Sequence, residues 1–148
     1  MRVTYRVRKT FTFEAAHRLD VAESRACVDT VHGHSYTVEL FLTATCLNRS
    51  QMVLDFGMLS PFIEGVKEEW DHALFVSRKR ARDYLETGDK KVVVMPASPT
   101  AEVMSYMLLH QLVDYLAEPP SGNGLAVEKV RVHETGSGWA EARVEEEE

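Results

Sequence analysis

Residues 3 to 17 alternate between apolar and polar. Val3, Tyr5, Val7, Phe11, Phe13, Ala15 and His17 fall on one side, and Arg2, Thr4, Arg6, Arg8, Thr10, Thr12 and Glu14 on the other. A period of two predicts a long half-buried strand, with His17 at the end of its apolar face. Residues 19 to 31 lose the period and read as a loop that contains Cys27. The alternation returns at His32: His32, His34, Tyr36, Val38, Leu40 and Leu42 share a face opposite Ser35, Thr37, Glu39, Phe41 and Thr43. This second strand is expected to pair antiparallel with the first.

Further on the pattern changes period. Leu47 to Gln51 read as a turn and Met52-Val53-Leu54 as a short strand. Leu59, Phe62, Ile63, Val66 and Trp70 recur at helical spacing, so residues 58 to 70 are expected to form an amphipathic helix, with Pro61 tolerated in its first turn. Residues 76 to 91 are charged and irregular, and Val92 to Met95 form a short apolar strand. Ser98-Pro99-Thr100 reads as a helix start with Ser98 as N-cap and Pro99 at the first helical position. Met104, Leu108, Leu112 and Tyr115, joined by Val103 and Met107, give that helix its buried stripe. Pro119 to Gly124 is a loop, residues 126 to 134 a third long strand, Gly136-Ser137-Gly138 a tight turn, and Trp139 to Val144 the last strand. The order β-β-α-α-β-β predicts an α+β fold, a four-stranded antiparallel sheet with two helices on one face. Residues 1–144 are expected to form one domain, followed by a disordered acidic tail at 145–148.

Composition adds exclusions. The chain has 148 residues, 45% hydrophobic and 27% charged, with a formal net charge of −6. Four of those negatives sit in Glu145 to Glu148, so the body carries about −2 and gives no support to nucleic-acid binding. No apolar run approaches the ~20 residues that span a bilayer. The N-terminus alternates and has no signal-peptide core. Two cysteines, Cys27 and Cys46, are too few for a disulfide framework, which points to a reducing cytoplasm.

The chemistry concentrates where the two long strands meet. His32 and His34, two residues apart on an extended chain, point to one face, and His17 ends the apolar face of the strand beside them. Three imidazoles converging there leave one tetrahedral position open, the arrangement of a catalytic zinc. Each histidine alone reads equally well as a satisfied, half-buried polar residue. Cys27 fits a fourth metal ligand, a catalytic thiol or a buried structural cysteine, and spacing does not choose. Cys46 reads as a packing residue. Asp71-His72 pairs a carboxylate with an imidazole, a combination that tunes a proton carrier. Glu134 is an inward carboxylate at a strand end and needs an arginine or a ligand with paired N–H donors. Glu102, in the first turn of the second helix, is accounted for by the helix dipole. Arg78, Lys79, Arg80 and Arg82 form a solvated loop, or a basic patch if the substrate is a phosphate ester.

The segments Phe13-Glu14-Ala15-Ala16-His17-Arg18-Leu19, Cys27 before His32-Gly33-His34, Met52-Val53-Leu54-Asp55-Phe56, Asp71-His72, Pro99-Thr100-Ala101-Glu102 and His133-Glu134-Thr135 occur in one order. In that order the sequence resembles the 6-pyruvoyl-tetrahydropterin synthase / 6-carboxy-tetrahydropterin synthase family from about residue 10 to 144. The resemblance implies the tunnelling fold: subunit sheets close into a barrel, two trimers stack into a hexamer, and active sites lie at subunit interfaces. It implies a pterin substrate, 7,8-dihydroneopterin triphosphate, and zinc held by His17, His32 and His34. It also implies Cys27 as the proton-transferring thiol, Asp71 and His72 as the second half of the relay, and Glu134 as the anchor of the pterin's guanidine-like edge, with Thr100, Ala101 and Glu102 lining the same pocket. The carboxy branch goes on to release acetaldehyde, on the route to 7-deazaguanine nucleosides such as queuosine; the pyruvoyl branch stops at the diketone. Four residues separate Cys27 from His32, where the carboxy branch usually has three and the pyruvoyl branch five. The Phe-Glu-Ala-Ala-His and Pro-Thr-Ala-Glu segments resemble the carboxy branch. Three other readings are a 6-pyruvoyl-tetrahydropterin synthase, an aldolase acting on dihydroneopterin itself, and a non-catalytic zinc- or pterin-binding module.

Overall fold

In a computed structural model the long alternating segments form a hairpin, β1 (Tyr5–His17) and β2 (His32–Ala44), paired antiparallel along their whole length from Tyr5↔Ala44 to His17↔His32. The structure describes residues 1–86, 88, 91–119 and 122–147. Thr87, Asp89 and Lys90 of the charged segment, Pro120 and Ser121 of the Pro-Gly loop, and Glu148 of the acidic tail lie outside the described residues. β5 (Ala126–His133) pairs antiparallel with β2, and β6 (Trp139–Arg143) with β5. These are the four antiparallel strands expected. Two further strands extend the sheet beyond β1, β3 (Ala73–Ser77) and β4 (Val92–Met95), both parallel, giving the order β4-β3-β1-β2-β5-β6.

β3 is the element that alternation hides. All five of its residues are buried, because a parallel strand covered on both faces needs no polar side and therefore shows no period. The opposite error occurs at Met52 to Leu54, which form no strand. Val53 and Leu54 are buried, but the Val53 carbonyl accepts from the Asn123 amide and the turn before it is organised by Asn48 Oδ1, which accepts from Ser50 N and Met52 N. Side-chain amides replace the ladder there.

Helix α2 (Ser60–Trp70), preceded by a 3₁₀ turn at Phe56–Leu59, buries Phe62, Val66 and Trp70. The irregular stretches also contain short helices, α1 (Arg25–Asp29) and α3 (Ala81–Leu85). Helix α4 runs Ala101–Tyr115, and its N-cap is Thr100, not Ser98. Thr100 Oγ1 accepts from Val103 N, while Ser98 Oγ is taken by Asp20 N at 3.0 Å. Pro99 therefore precedes the cap instead of opening the helix. Tyr115 leaves the expected buried stripe: it is exposed, and its hydroxyl donates to the Met58 carbonyl. α2 and α4 close over Phe11, Phe13, Tyr36, Val38, Leu40, Val130 and Val132 to form the core. Phe13 stacks on Tyr36 at 4.9 Å and meets Trp70 and Phe75 edge-on. Among the described residues, the other face of β1, β2, β5 and β6 carries no helix of comparable length. Its polar side chains pair with one another instead, around a buried Glu39.

Candidate functional site

The hairpin register sets the site. His17 lies directly opposite His32, and His34 opposite Ala15, so all three imidazoles project from the core face at one end of the sheet. Their ring centroids are 4.5 to 5.0 Å apart, and one nitrogen from each lies within 4.8 Å of the others. Backbone carbonyls decide which nitrogens these are. His17 Nδ1 donates to the Pro99 carbonyl at 2.8 Å, and His32 Nδ1 to the Thr30 carbonyl at 3.1 Å. A carbonyl can only accept, so both Nδ1 atoms carry the proton and both Nε2 atoms present lone pairs. Those two Nε2 atoms face each other at 2.9 Å. His34 Nε2 is buried beside them without a hydrogen-bond partner. Burial is the main influence holding the His17 pKa below its ordinary value, which keeps the ring neutral. Three imidazoles, two of them oriented by carbonyl contacts, suit a nitrogen-preferring divalent cation such as zinc. Tyr36, kept protonated chiefly by burial and secondly by the charge of Glu134, places its hydroxyl 3.3 Å from His17 Nδ1. The carbonyls of Thr30 and Pro99 and the Tyr36 hydroxyl escape a sequence reading, because two are backbone atoms and the third looks like core.

Cys27 sits half-exposed in α1, so it is not a buried structural cysteine. Its sulfur does not join the histidine cluster among the described residues, so a fourth-ligand role gains no geometric support. The segment is pinned to the residues just after His17. Leu19 N donates to the Cys27 carbonyl at 2.9 Å, and Arg18 Nε donates to the Val28 carbonyl at 2.6 Å while its other arm reaches Tyr84.

Asp71 and His72 contact each other, Oδ2 to Nδ1, at 3.2 Å. Asp71 Oδ1 accepts from Glu14 N at 2.8 Å, the main influence that lowers its pKa. His72 adopts φ +61, a left-handed conformation uncommon for a non-glycine residue, and its N–H donates to the Glu14 carbonyl. The β1 backbone at Glu14 thus grips both residues and leaves the His72 ring exposed. A cleft of about 400 Å³ beside the ring is lined by Glu14, Gly33, His34, Ser35 and His72.

A second cavity, about 250 Å³, is lined by Leu19, Thr100, Ala101, Glu102, Glu134 and Trp139 among others. The structure thus brings Glu134 together with the start of α4. The Glu134 carboxylate also faces the histidines, with Oε1 3.4 Å from His17 Nε2 and 3.7 Å from His34 Nε2. Trp139 was not anticipated; its place just after the Gly136-Ser137-Gly138 turn was the available signal. In the basic cluster, Arg80 pairs with Asp20 at 3.2 Å, whereas Arg78, Lys79 and Arg82 are exposed. Cys46 does not pack as expected: it is exposed, its thiol directed at the Asn123 carbonyl.

A family model described as 6-pyruvoyl tetrahydropterin synthase matches residues 6–145. The chain belongs to this family. Within the 6-pyruvoyl tetrahydropterin synthase family, it is 31% identical to the 6-carboxy-5,6,7,8-tetrahydropterin synthase of Helicobacter pylori, over 92% of this chain and 71% of that protein. It is 29% identical to the Aquifex aeolicus protein of the same name, over 95% and 99%. Solved structures share the fold. An uncharacterised Wolinella succinogenes protein superposes with a TM-score of 0.84 at 22% identity, covering 97% of this chain and 99% of that one. The Caenorhabditis elegans 6-pyruvoyl tetrahydropterin synthase superposes with a TM-score of 0.68 at 20% identity, covering 98% and 99%. Among the described residues no helix is long and apolar enough to cross a membrane.

Proposed function

We propose that the chain is a zinc-dependent 6-carboxy-5,6,7,8-tetrahydropterin synthase. It converts 7,8-dihydroneopterin triphosphate and water to 6-carboxytetrahydropterin, acetaldehyde and triphosphate, in the cytoplasm, on the way to 7-deazaguanine nucleosides. The observation that carries the reading is the convergence of His17, His32 and His34 beside a cavity walled by Glu134, Thr100, Ala101 and Glu102. The branch is favoured by the name that the Helicobacter and Aquifex relatives carry.

His17, His32 and His34 would hold the zinc, which supplies stabilisation of negative charge developing on the substrate's side-chain oxygens. Glu134 accepts two parallel N–H bonds from the pterin's amino–amide edge, a contact that fixes the ring's orientation. Thr100, Ala101 and Glu102 complete that wall. Cys27 takes a proton from the side chain. The His72 imidazole, with Asp71 against Nδ1, moves protons at Nε2 as the triphosphate leaves and the side chain becomes a diketone. Water then cleaves the bond between the two carbonyl carbons, giving the acid and acetaldehyde.

The active assembly is a hexamer of two trimers. β3 pairs with β1 only from Ala15 to His17, and Asp71 and His72 take the backbone of Glu14, so among the described residues the outer edge of residues 5–13 is open to another chain, as is the outer edge of β6. Pairing of unlike edges closes into a ring.

The test is incubation of the zinc-loaded protein with 7,8-dihydroneopterin triphosphate. Acetaldehyde and 6-carboxytetrahydropterin are expected. Accumulation of the 6-pyruvoyl compound moves the protein to the other branch, and no turnover with metal bound sinks both. Cys27→Ala separates catalysis from mere binding: zinc should be retained and turnover lost.

A further inference from the structure

Glu134 faces in two directions. It lines the cavity at the start of α4, where a pterin edge would be read, and its Oε1 stands 3.4 Å from His17 Nε2 and 3.7 Å from His34 Nε2. Neither contact is a hydrogen bond. The lengths exceed one, and His17 Nε2 has no proton to give because the Pro99 carbonyl holds it on Nδ1. A carboxylate oxygen turned toward the His17 Nε2 lone pair is unfavourable unless a cation sits between them. Ligand atoms placed ~2.0–2.2 Å from a tetrahedral zinc lie about 3.3–3.6 Å from one another. The separation from His17 falls in that range, and that from His34 just beyond it.

Resting on the function proposed above, we infer that Glu134 is an exchangeable metal ligand. While the cavity is empty its carboxylate holds the fourth position beside His17, His32 and His34. When a pterin arrives, the amino–amide edge draws the carboxylate away and leaves that position open. The exchange breaks one metal–oxygen bond and forms two N–H···O bonds, with no electron transferred. Glu134's backbone N–H is fixed to the Gly138 carbonyl at 3.1 Å, while its side chain is 36% exposed, so the anchor stays while the carboxylate turns. The carboxylate stands outside the set of atoms within 4.8 Å of one another, and completing the shell takes a further rotation of that half-exposed side chain. The consequence is specificity. The metal's reactive position opens only for a molecule carrying the edge that Glu134 recognises.

The protein loaded with cobalt(II) in place of zinc tests this through its visible absorption, which reports the ligand set. The probe is 6-methylpterin, which has the amino–amide edge but no side-chain oxygen to reach the metal. Adding it should shift the wild-type cobalt spectrum toward that of ligand-free Glu134→Gln. The glutamine variant should also bind zinc ~10–100-fold more weakly in a chelator competition, the range seen when metal-site support is removed. Glu134→Asp, one methylene shorter, should match the glutamine variant at the metal and still bind 6-methylpterin. Identical cobalt spectra and zinc affinities for wild type and Glu134→Gln overturn the inference. So does an unchanged wild-type spectrum with 6-methylpterin bound, as followed by its fluorescence. If wild type takes up no cobalt, or no 6-methylpterin, the proposed function itself fails and the exchange fails with it.

Discussion

The two faces of the β1–β2 hairpin treat buried polar groups in opposite ways. On the face away from α2 and α4, Glu39 is only 5% exposed, yet its carboxylate is fully used. It accepts from Arg8 at 2.9 Å and from His133, with Arg131 at 3.6 Å. Arg131 in turn pairs with Glu141 and lies 3.9 Å over the Trp139 ring. On the helix-covered face, His17 and His32 are backed by carbonyls and left with Nε2 atoms confronting each other, while His34 keeps a buried nitrogen without a partner. Burial and residue types are similar, but satisfaction is not. A polar group whose neighbours complete it is a structural device, whereas one whose neighbours orient it and stop short is prepared for something the chain does not itself contain.

The contrast can be broken by substitution. Glu39→Ala strands His133 and Arg131 around an empty acceptor and should cost about 3–5 kcal/mol in urea unfolding; a loss under ~1 kcal/mol would show the network to be a surface feature. His34→Leu should do the reverse in chelator-treated protein. Removing an orphaned buried nitrogen should stabilise the metal-free fold by up to about 1–3 kcal/mol, while abolishing metal retention. Destabilisation of the metal-free fold would place His34 with the structural residues. Thr100→Ala, which removes the α4 cap where helix and cavity meet, should cost about 1 kcal/mol, read as a lower thermal midpoint.

Acid should take the two faces apart in sequence. His17 is held below its ordinary 6.5 chiefly by burial, so the unfolded chain binds its proton first and the metal-free protein loses stability as pH falls through 6.5. For Glu39, burial pushes the pKa up but is outweighed by the bonds from His133 and Arg8, leaving it below the ordinary 4.5. Its contribution is therefore complete above 4.5 and lost as pH falls through the lowered value. Thermal midpoints against pH should show two steps, the upper missing in His17→Phe and the lower in Glu39→Gln.

The core face of the hairpin was legible because thirteen-residue strands keep their period throughout, and opposition of His17 to His32 follows once the strands pair. The grouping of Glu134 with Thr100, Ala101 and Glu102 was legible only through family resemblance, since no local pattern links residues that far apart. β3 was hidden by its complete burial, and the true cap by a neighbouring hydroxyl of the same chemistry. Glu39 read as one more polar residue on a wet face, because alternation records which side a residue takes and not how deeply its neighbours cover it.

The carbonyls behind His17 and His32 carry a consequence for how such chains diverge. A backbone acceptor survives any change of side chain at Thr30 or Pro99. The Thr30 contact is also set by its distance from His32, two residues on, and not by its distance from Cys27. Insertions or deletions between Cys27 and Thr30 can therefore accumulate without disturbing the histidine geometry. The stretch between thiol and histidines is free to drift in length among relatives while the three rings stay where they are.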